Sequence, residues 1–274
     1  MSGSTDASSI SDMPAKDARP TAPMRRARVG LLWHSVNSDN LGVGALTVSE
    51  MAIVDAAAAA VGVVPEYLVI GAMDRRPAYI QRPDLSMKPV RNKDFLKPFG
   101  GLFSALRSCD VVIDIGGGDS FADIYGVRRA IWMLVSKWMT LLAGKPLILA
   151  PQTVGPFERG WMRRGAVAAM NRAQLTVTRD ALSTAYLDEI GYKGPRLEAS
   201  DVALKLPYEA PPPRDPDGKV RVGINVSGLL FNGGYSRDNQ FGLSADYPTM
   251  VRAIVEDLRA RPEVELHFVG HVIA

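Results

Sequence analysis

Cysteine, histidine and strongly charged segments are all scarce in this sequence of 274 residues. The one cysteine, Cys109, excludes an intrachain disulfide and a site built from several thiolates, and it fits a reducing compartment. We expect it to be buried just before a strand. The three histidines, His34, His267 and His271, lie far apart and lack a zinc-binding spacing, so we expect no metal site.

The charge balance and the apolar runs argue against a nucleic-acid-binding protein and against a membrane-spanning protein. The net charge is +3, and no cluster of lysine and arginine alternates with aromatics, so we predict no nucleic-acid partner; the small positive excess favours acidic ligands such as sugar phosphates. The most apolar stretch, residues 130–143, contains Lys137 and is shorter than the roughly 20 residues that cross a bilayer. We therefore predict a buried helix there, no transmembrane segment, and a cytoplasmic protein that is at most peripheral at the inner face of the membrane.

Short apolar runs alternate with helical patterns along the chain, which is typical of βαβ units and a parallel sheet. A crossover helix is predicted over residues 45–61, and a second helix is predicted to begin at Ser120. The polar, proline-containing residues 74–98 are predicted to form a loop or lid. The predicted strands span residues 28–33, 66–70, 110–115, 146–150 and 175–178.

The composition divides the chain into an N-terminal arm and two parts with an α/β pattern, joined by a linker. Residues 1–24 lack both periodicity and the apolar core of a signal peptide, and we expect a disordered arm. Residues 25–206 form the first domain, and residues 207–219, with their PPP and DPDG runs, form a linker. Residues 220–274 begin a second domain. This part contains only two predicted strands and one helix that starts near Asp246, too few to cover a parallel sheet, so we expect it to be truncated.

The segment IDIGGGDSFADIYG, residues 113–126, places three glycines directly after a predicted strand. Glycine permits positive φ angles and a close approach of backbone to a ligand, and the amides of such a turn can bind an anion. A helix starting at Ser120 would direct its positive end to the same place. We therefore predict that Gly116, Gly117, Gly118 and Ser120 bind a phosphorylated small molecule. The alternative is a tight turn in which glycine only relieves steric conflict.

The first predicted strand is followed by a second candidate segment. Asn40 and Gly42 precede the crossover helix and could bind phosphate there. A dinucleotide fingerprint is not indicated, because the third glycine is missing and no acid follows residues 66–70. His34, at the end of the strand, is a candidate general acid or base, with a purely structural histidine as the alternative.

The fourth and fifth predicted strands also end in polar residues, and parallel sheets bind ligands at this edge. Gln152 offers neutral hydrogen bonds, and Gly155 belongs to a rigid turn that forms a second wall of the cleft. Arg179 suits a phosphate or carboxylate, or else it pairs with Asp180 or Asp201. Asp180, or Thr178 close by, can cap the following helix.

Five motifs at these strand ends, taken in order, resemble the polysaccharide pyruvyl transferase family. The resemblance covers residues 28–274 and implies a glycosyltransferase-B-like pair of Rossmann-type domains with the active site between them. It implies transfer of pyruvate from phosphoenolpyruvate to a sugar as a ketal, without a cofactor. The motifs are NxGxxA at 40–45, GGGDSFAD at 116–123, PQTVGPF at 151–157, RDxxSxxxLxxxG at 179–191 and SDVAL at 200–204.

The resemblance also implies roles for individual residues. The three glycines and Arg179 would hold anionic groups, and Asp119, Asp123 or His34 would handle protons or sugar hydroxyls, while His271 would face them from the second domain. The assignment of acid and base among the carboxylates stays open.

The sequence departs from the family pattern at two points. Many members carry an acid where this chain has Val43, and the family's later Arg-Leu-His segment has no counterpart. Two other functions remain open. One is a nucleotide-sugar-dependent glycosyltransferase of the same architecture, and the other is a catalytically inactive remnant that binds sugar.

Overall fold

A computed structural model describes residues 25–97, 100–119, 121–213, 215–216, 218–234, 236–270 and 272. Its main feature is a parallel sheet made of β1 (Arg25–Leu32), β2 (Val63–Gly71), β3 (Leu85–Pro89), β4 (Val111–Asp114), β5 (Leu147–Gln152), β6 (Leu175–Thr178) and β7 (Arg196–Glu198). The spatial order is β3-β2-β1-β4-β5-β6-β7, and every neighbouring pair is parallel. The predicted Rossmann-like α/β fold is confirmed.

Helices cover both faces of this sheet. The helices of the first unit are α1 (Leu41–Ala60), α2 (Leu102–Arg107), α3 (Val127–Leu142), α4 (Gly160–Met170) and α5 (Ala181–Glu189), with 3₁₀ turns at Asn92–Phe95 and Val202–Lys205. One core lies under α2, α3, α4 and α5, and the other lies under α1 and the second 3₁₀ turn. Leu31 and Leu32, which are adjacent in β1, belong to opposite cores and are both fully buried. β1 is therefore covered on both sides, as a central parallel strand must be.

The side of the sheet on which the chain adds strands changes between β1 and β4. From β1 the chain adds β2 and β3 on one side, and from β4 it adds β5, β6 and β7 on the other. Such a switch point leaves a crevice at the carboxyl ends of the two central strands, where α/β proteins bind ligands. The residues after β1 and the glycine turn after β4 flank this crevice.

The predicted helix start at residue 120 is wrong, because α3 begins at Val127 after Gly126, whose φ is +97°. The segment before α3 pairs with the loop after β5. Phe121 forms a parallel bridge with Val154, and the carbonyl of Phe121 accepts a hydrogen bond from the amide of Gly155. This pairing with the β5–α4 loop keeps residues 121–123 out of a helix. Ser120 itself lies outside the described residues.

The prediction of a loop or lid over residues 74–98 missed regular structure in this segment. This segment contains β3 and the first 3₁₀ turn, and β3 pairs along β2 from Tyr67 to Gly71. β3 is a short edge strand with exposed side chains, so it lacks the alternation that identifies a strand in sequence.

A second, smaller sheet pairs β8 (Val220–Ile224) with β9 (Val264–Phe268) in parallel. Two helices lie between them in sequence, α6 (Gly228–Phe231) and α7 (Tyr247–Arg259). The predicted helix start near Asp246 is confirmed, since α7 begins at Tyr247 and the Asp246 side chain caps it by accepting a hydrogen bond from the amide of Thr249. The proposed domain boundaries stay a prediction, and residues 1–24 lie outside the described part of the chain.

One helix among the described residues, α1, is long and apolar enough to cross a membrane by length and composition alone. Residues 130–143, the most apolar stretch expected from the sequence, lie in α3 and its C-cap instead. α1 connects β1 to β2 and packs on the sheet, which is also the position of a core helix in a soluble domain.

Candidate active site

The glycine turn follows β4 at the switch point. Gly116, Gly117 and Gly118 have φ angles of +56°, +64° and +92°, which only glycine adopts without strain. The Gly116 amide donates to Asp114 Oδ1 at 2.8 Å, and the Gly118 amide donates to the carbonyl of Ile115 at 2.8 Å. Two of the three glycine amides are therefore used inside the turn, which leaves fewer donors for an anion than the sequence suggested.

A buried ion pair lies beneath this turn. The Lys137 Nζ is 2.8 Å from Asp114 Oδ2, and both side chains are fully buried. The same ammonium lies 3.9 Å from the ring centroid of Phe121, a cation–π contact. Burial lowers the pKa of Lys137, and Asp114 opposes that shift. Sequence reasoning missed this pair, although a single lysine in an otherwise apolar helix was its signal.

Gln152 supports the turn from the neighbouring strand. Its side chain is fully buried, and its Nε2 donates to the carbonyl of Asp114 at 2.8 Å. A Cβ atom on Gly116 would lie 2.2 Å from the Gln152 Oε1, so a side chain there would force the buried Gln152 amide to shift. Gly155 is similarly restricted, because it has a φ of +75° and a Cβ there would lie 2.2 Å from the ring of Tyr186. Gln152 and Gly155 therefore form part of the wall of the cleft.

Arg179 brings a positive charge beside the glycine turn. A Cβ on Gly118 would lie 3.5 Å from its Nη1. The Nε donates to Thr153 Oγ1 at 2.9 Å, and Nη1 donates to Asp201 at 3.0 Å. Within the described part of the chain, no hydrogen bond engages its Nη2. The carboxylate of Asp180 accepts from the Ser183 amide at 2.7 Å and caps α5, as predicted.

The two candidate aspartates lie in different surroundings. Asp119 is partly accessible and accepts a hydrogen bond from the Tyr125 hydroxyl at 2.6 Å. Asp123 is 2 % exposed, and its two oxygens accept from the amides of Glu158 and Arg159, each at 2.9 Å. Burial alone would raise the pKa of Asp123, but these amide bonds outweigh it and hold the pKa below its usual value. Asp123 therefore anchors the loop before α4, and Asp119 is the more accessible of the two carboxylates.

His34 is buried rather than presented at the cleft. Its exposed fraction is 1 %, and burial lowers its pKa to about 3, against a smaller opposing effect of the bond to Leu32. The Nδ1 lies 3.1 Å from the carbonyl of Leu32, which can only accept, so the neutral ring donates there. Its Nε2 is buried without a partner among the residues described. His271, the other candidate histidine, lies outside them.

Asn40 caps α1, since its side chain accepts from the amide of Gly42 at 2.9 Å. That amide is thus occupied in the structure. Asn40 also pairs through its backbone with Val272, and it lines a cavity of about 840 Å³ together with Ser227 and Arg237. This cavity lies between the N-terminus of α1 and the loop after β8. No group of three or more His, Cys, Asp or Glu side chains suited to a metal ion occurs in the described ranges.

Comparison with known proteins identifies the family of this chain. No curated protein matches the chain. The model of a family described as polysaccharide pyruvyl transferase matches residues 53–272, which include the glycine turn, Gln152 and Arg179. The match begins inside α1, so the motif around Asn40 rests on its sequence resemblance alone. Because the match spans most of the sequence, the chain belongs to the polysaccharide pyruvyl transferase family, whose members are transferases acting on saccharide acceptors.

Proposed function

We propose that this protein transfers the pyruvyl group of phosphoenolpyruvate to two hydroxyls of a saccharide, forming a ketal and releasing inorganic phosphate. The observation that carries the proposal is the pairing of a cation and an accessible carboxylate at the switch point. Arg179 lies against Gly118, and Asp119 is the next residue after that glycine. No cofactor enters the reaction.

The donor carries a phosphate and a carboxylate, so its site requires positive charge. Arg179 supplies that charge beside the glycine turn, and its planar fork suits either anionic group. Thr153 and Asp201 fix two of its nitrogens and hold the guanidinium in place. Since two glycine amides are already used, we assign most of the anion binding to Arg179, with the glycines permitting close approach.

The reaction adds one proton to the methylene carbon of the donor and makes the neighbouring carbon electrophilic. One saccharide hydroxyl adds to that carbon and loses its proton, and the bond from that carbon to the phosphate oxygen breaks. A second hydroxyl then closes the ketal and loses its proton, so that one of the two released protons leaves with phosphate. A carboxylate that reaches the substrate suits the proton transfers, and we assign this role to Asp119.

The positions of the other candidates favour supporting roles. At neutral pH His34 is uncharged and enclosed, which argues against proton transfer by its ring. Both carboxylate oxygens of Asp123 already accept hydrogen bonds from backbone amides. The predicted contribution of His271 from the second unit remains part of the proposal. We place the reaction in the cytoplasm, with an acceptor that is a cell-surface polysaccharide or its precursor.

The test is to incubate the protein with phosphoenolpyruvate and a panel of saccharides, and to measure phosphate release and the mass of the acceptor. Nucleotide sugars serve as competing donors in parallel reactions. We expect acceptor-dependent phosphate release, reduced about a hundredfold in Arg179→Gln, because the loss of one preorganised donor to a developing charge has about that effect. Arg196→Gln, an arginine on the edge strand β7, is the matched control.

Two outcomes contradict the proposal. Glycosyl transfer from a nucleotide sugar would identify the protein as a glycosyltransferase. Saccharide binding without turnover of any donor would identify it as a binding module. Circular dichroism of each variant establishes that a loss of activity is not a loss of fold.

A further inference from the structure

A second cleft, separate from Arg179, lies on the α3 side of the switch point. It has a volume of about 600 Å³ and is lined by Trp33, Tyr125, Arg128, Arg129 and Trp132, among others. We call it the tryptophan cleft. Trp33 follows β1, and the other four residues lie at or near the start of α3, so the cleft opens at the carboxyl edge of the sheet.

The aromatic wall of the tryptophan cleft is preorganised. The Trp33 indole donates to Ser136 Oγ at 2.9 Å, which fixes the plane of its ring. The Trp132 ring lies 4.1 Å from the ring of Phe95, and Phe95 stacks in turn at 6.5 Å from Trp33. The Trp132 Nε1 is buried and has no hydrogen-bond partner in the described part of the chain. Phe95 thus holds the rings of Trp33 and Trp132, which line the cleft, and the Trp132 Nε1 is a donor that the described part of the fold does not use.

The mouth of the tryptophan cleft is positively charged. Arg128 and Arg129 are exposed in the first turn of α3, a helix of 16 residues without an acidic residue in that turn. The positive end of the helix adds to their charge. A ligand that packs on the rings would therefore be attracted further if it carried a phosphate or carboxylate.

One hydrogen bond connects this cleft to the carboxylate assigned above. Tyr125 lines the cleft, and its hydroxyl donates to Asp119 Oδ2 at 2.6 Å. A ligand packed against Tyr125 would accordingly lie next to Asp119. Phosphoenolpyruvate has no ring to pack on an aromatic wall, so the chemistry of this cleft suits a different molecule.

We infer that the tryptophan cleft binds the acceptor, and that the acceptor is an anionic saccharide whose phosphate or carboxylate lies against Arg128. This inference rests on the proposed function. A pyranose presents an apolar face of C–H groups to an aromatic ring and hydroxyls at its edges, so a rigid wall of rings with polar groups at its rim fits it. The ring hydroxyls nearest Tyr125 are then delivered to Asp119.

Isothermal titration calorimetry tests the inference without requiring turnover. The probes are galactose 1-phosphate, glucuronic acid, neutral galactose and uridine monophosphate. We expect the two anionic sugars to bind more tightly than galactose. Arg128→Gln should weaken the anionic sugars about tenfold and leave galactose unchanged, and Trp132→Leu should weaken all three about tenfold. Arg164→Gln and Trp161→Leu, exposed positions on α4, are the matched controls.

The outcomes separate this inference from the proposed function. Unchanged sugar affinities in Arg128→Gln would overturn the inference, and so would binding of uridine monophosphate in preference to the sugars. Because Arg128 is exposed, its variant retains the fold even if Trp132→Leu does not. If the expected pattern of sugar binding appears without pyruvyl transfer, the site stands and the proposed function fails. If transfer occurs and the acceptor KM does not change in Arg128→Gln, the function stands and the cleft is not the acceptor site.

Discussion

Replacing Glu50 with glutamine should make the protein more stable at neutral and alkaline pH. Glu50 lies on α1 with 6 % of its surface exposed, and its Oε2 has no partner among the described residues. Burial raises the pKa of Glu50 from its ordinary value of 4.5 to about 7. Between these values the folded protein holds a proton that the unfolded chain has released, so stability falls as pH rises. The shift corresponds to about 3 kcal/mol.

His34 changes the pH dependence of stability in the opposite direction from Glu50. Burial lowers its pKa from 6.5 to about 3, so the unfolded chain binds the extra proton in this range, and stability falls as pH decreases. From about pH 4.5 to 6.5 the slopes due to Glu50 and His34 cancel in the native sequence. Of these two slopes, only the one due to His34 remains in Glu50→Gln, and its contribution raises stability by about 1.4 kcal/mol per pH unit through this window.

Urea unfolding from pH 4.5 to 8 measures both effects. The free energy of unfolding of Glu50→Gln minus that of the native sequence should increase by about 3 kcal/mol across the range, a difference in which all other titrating groups cancel. Glu189→Gln, on the exposed surface of α5, controls for the loss of a helical carboxyl group. A difference that stays constant or falls with pH would refute the reasoning about the buried carboxyl.

Three further predictions concern the support of the site. Lys137→Met should lower the free energy of unfolding in urea by about 3 to 5 kcal/mol, because Asp114 is left buried and unpaired. Adding Asp114→Asn should recover part of that loss. A loss below about 1 kcal/mol in Lys137→Met would contradict a buried ion pair. Gly116→Ala should lower the midpoint of thermal unfolding more than Gly62→Ala does. Both glycines have positive φ, but only the Cβ added at Gly116 would contact another side chain. Equal shifts of the midpoint would exclude a steric conflict at Gly116. Asp180→Ala should cost about 1 kcal/mol of unfolding free energy through loss of a helix cap, and an unchanged value would exclude that role.

Sequence patterns located most of the sheet because central parallel strands must be apolar on both faces. The strand at Leu175–Thr178 was predicted with its observed bounds. β3 was missed because its exposed edge carries no such pattern. The start of α3 was misplaced because residues 121–123 pair with the loop after β5, a contact that local sequence does not report.

The site was predictable in outline and not in detail. Strand ends in a parallel sheet meet at one edge, so the proximity of Gly118 and Arg179 followed from the fold class. The burial of His34 depends on packing around the switch point and could not be inferred from its place after β1. The Lys137–Asp114 pair required knowledge of how α3 packs on the sheet, as did the tryptophan cleft.

The central claim is pyruvyl transfer, and the most direct measurement is mass spectrometry of the saccharide after reaction with carbon-13-labelled phosphoenolpyruvate in deuterated water. We expect the saccharide to gain the labelled three-carbon unit as a ketal whose methyl group carries one solvent deuterium. Failure of the saccharide to gain the label, or a gain of a glycosyl unit from a nucleotide sugar in a parallel reaction, would contradict it.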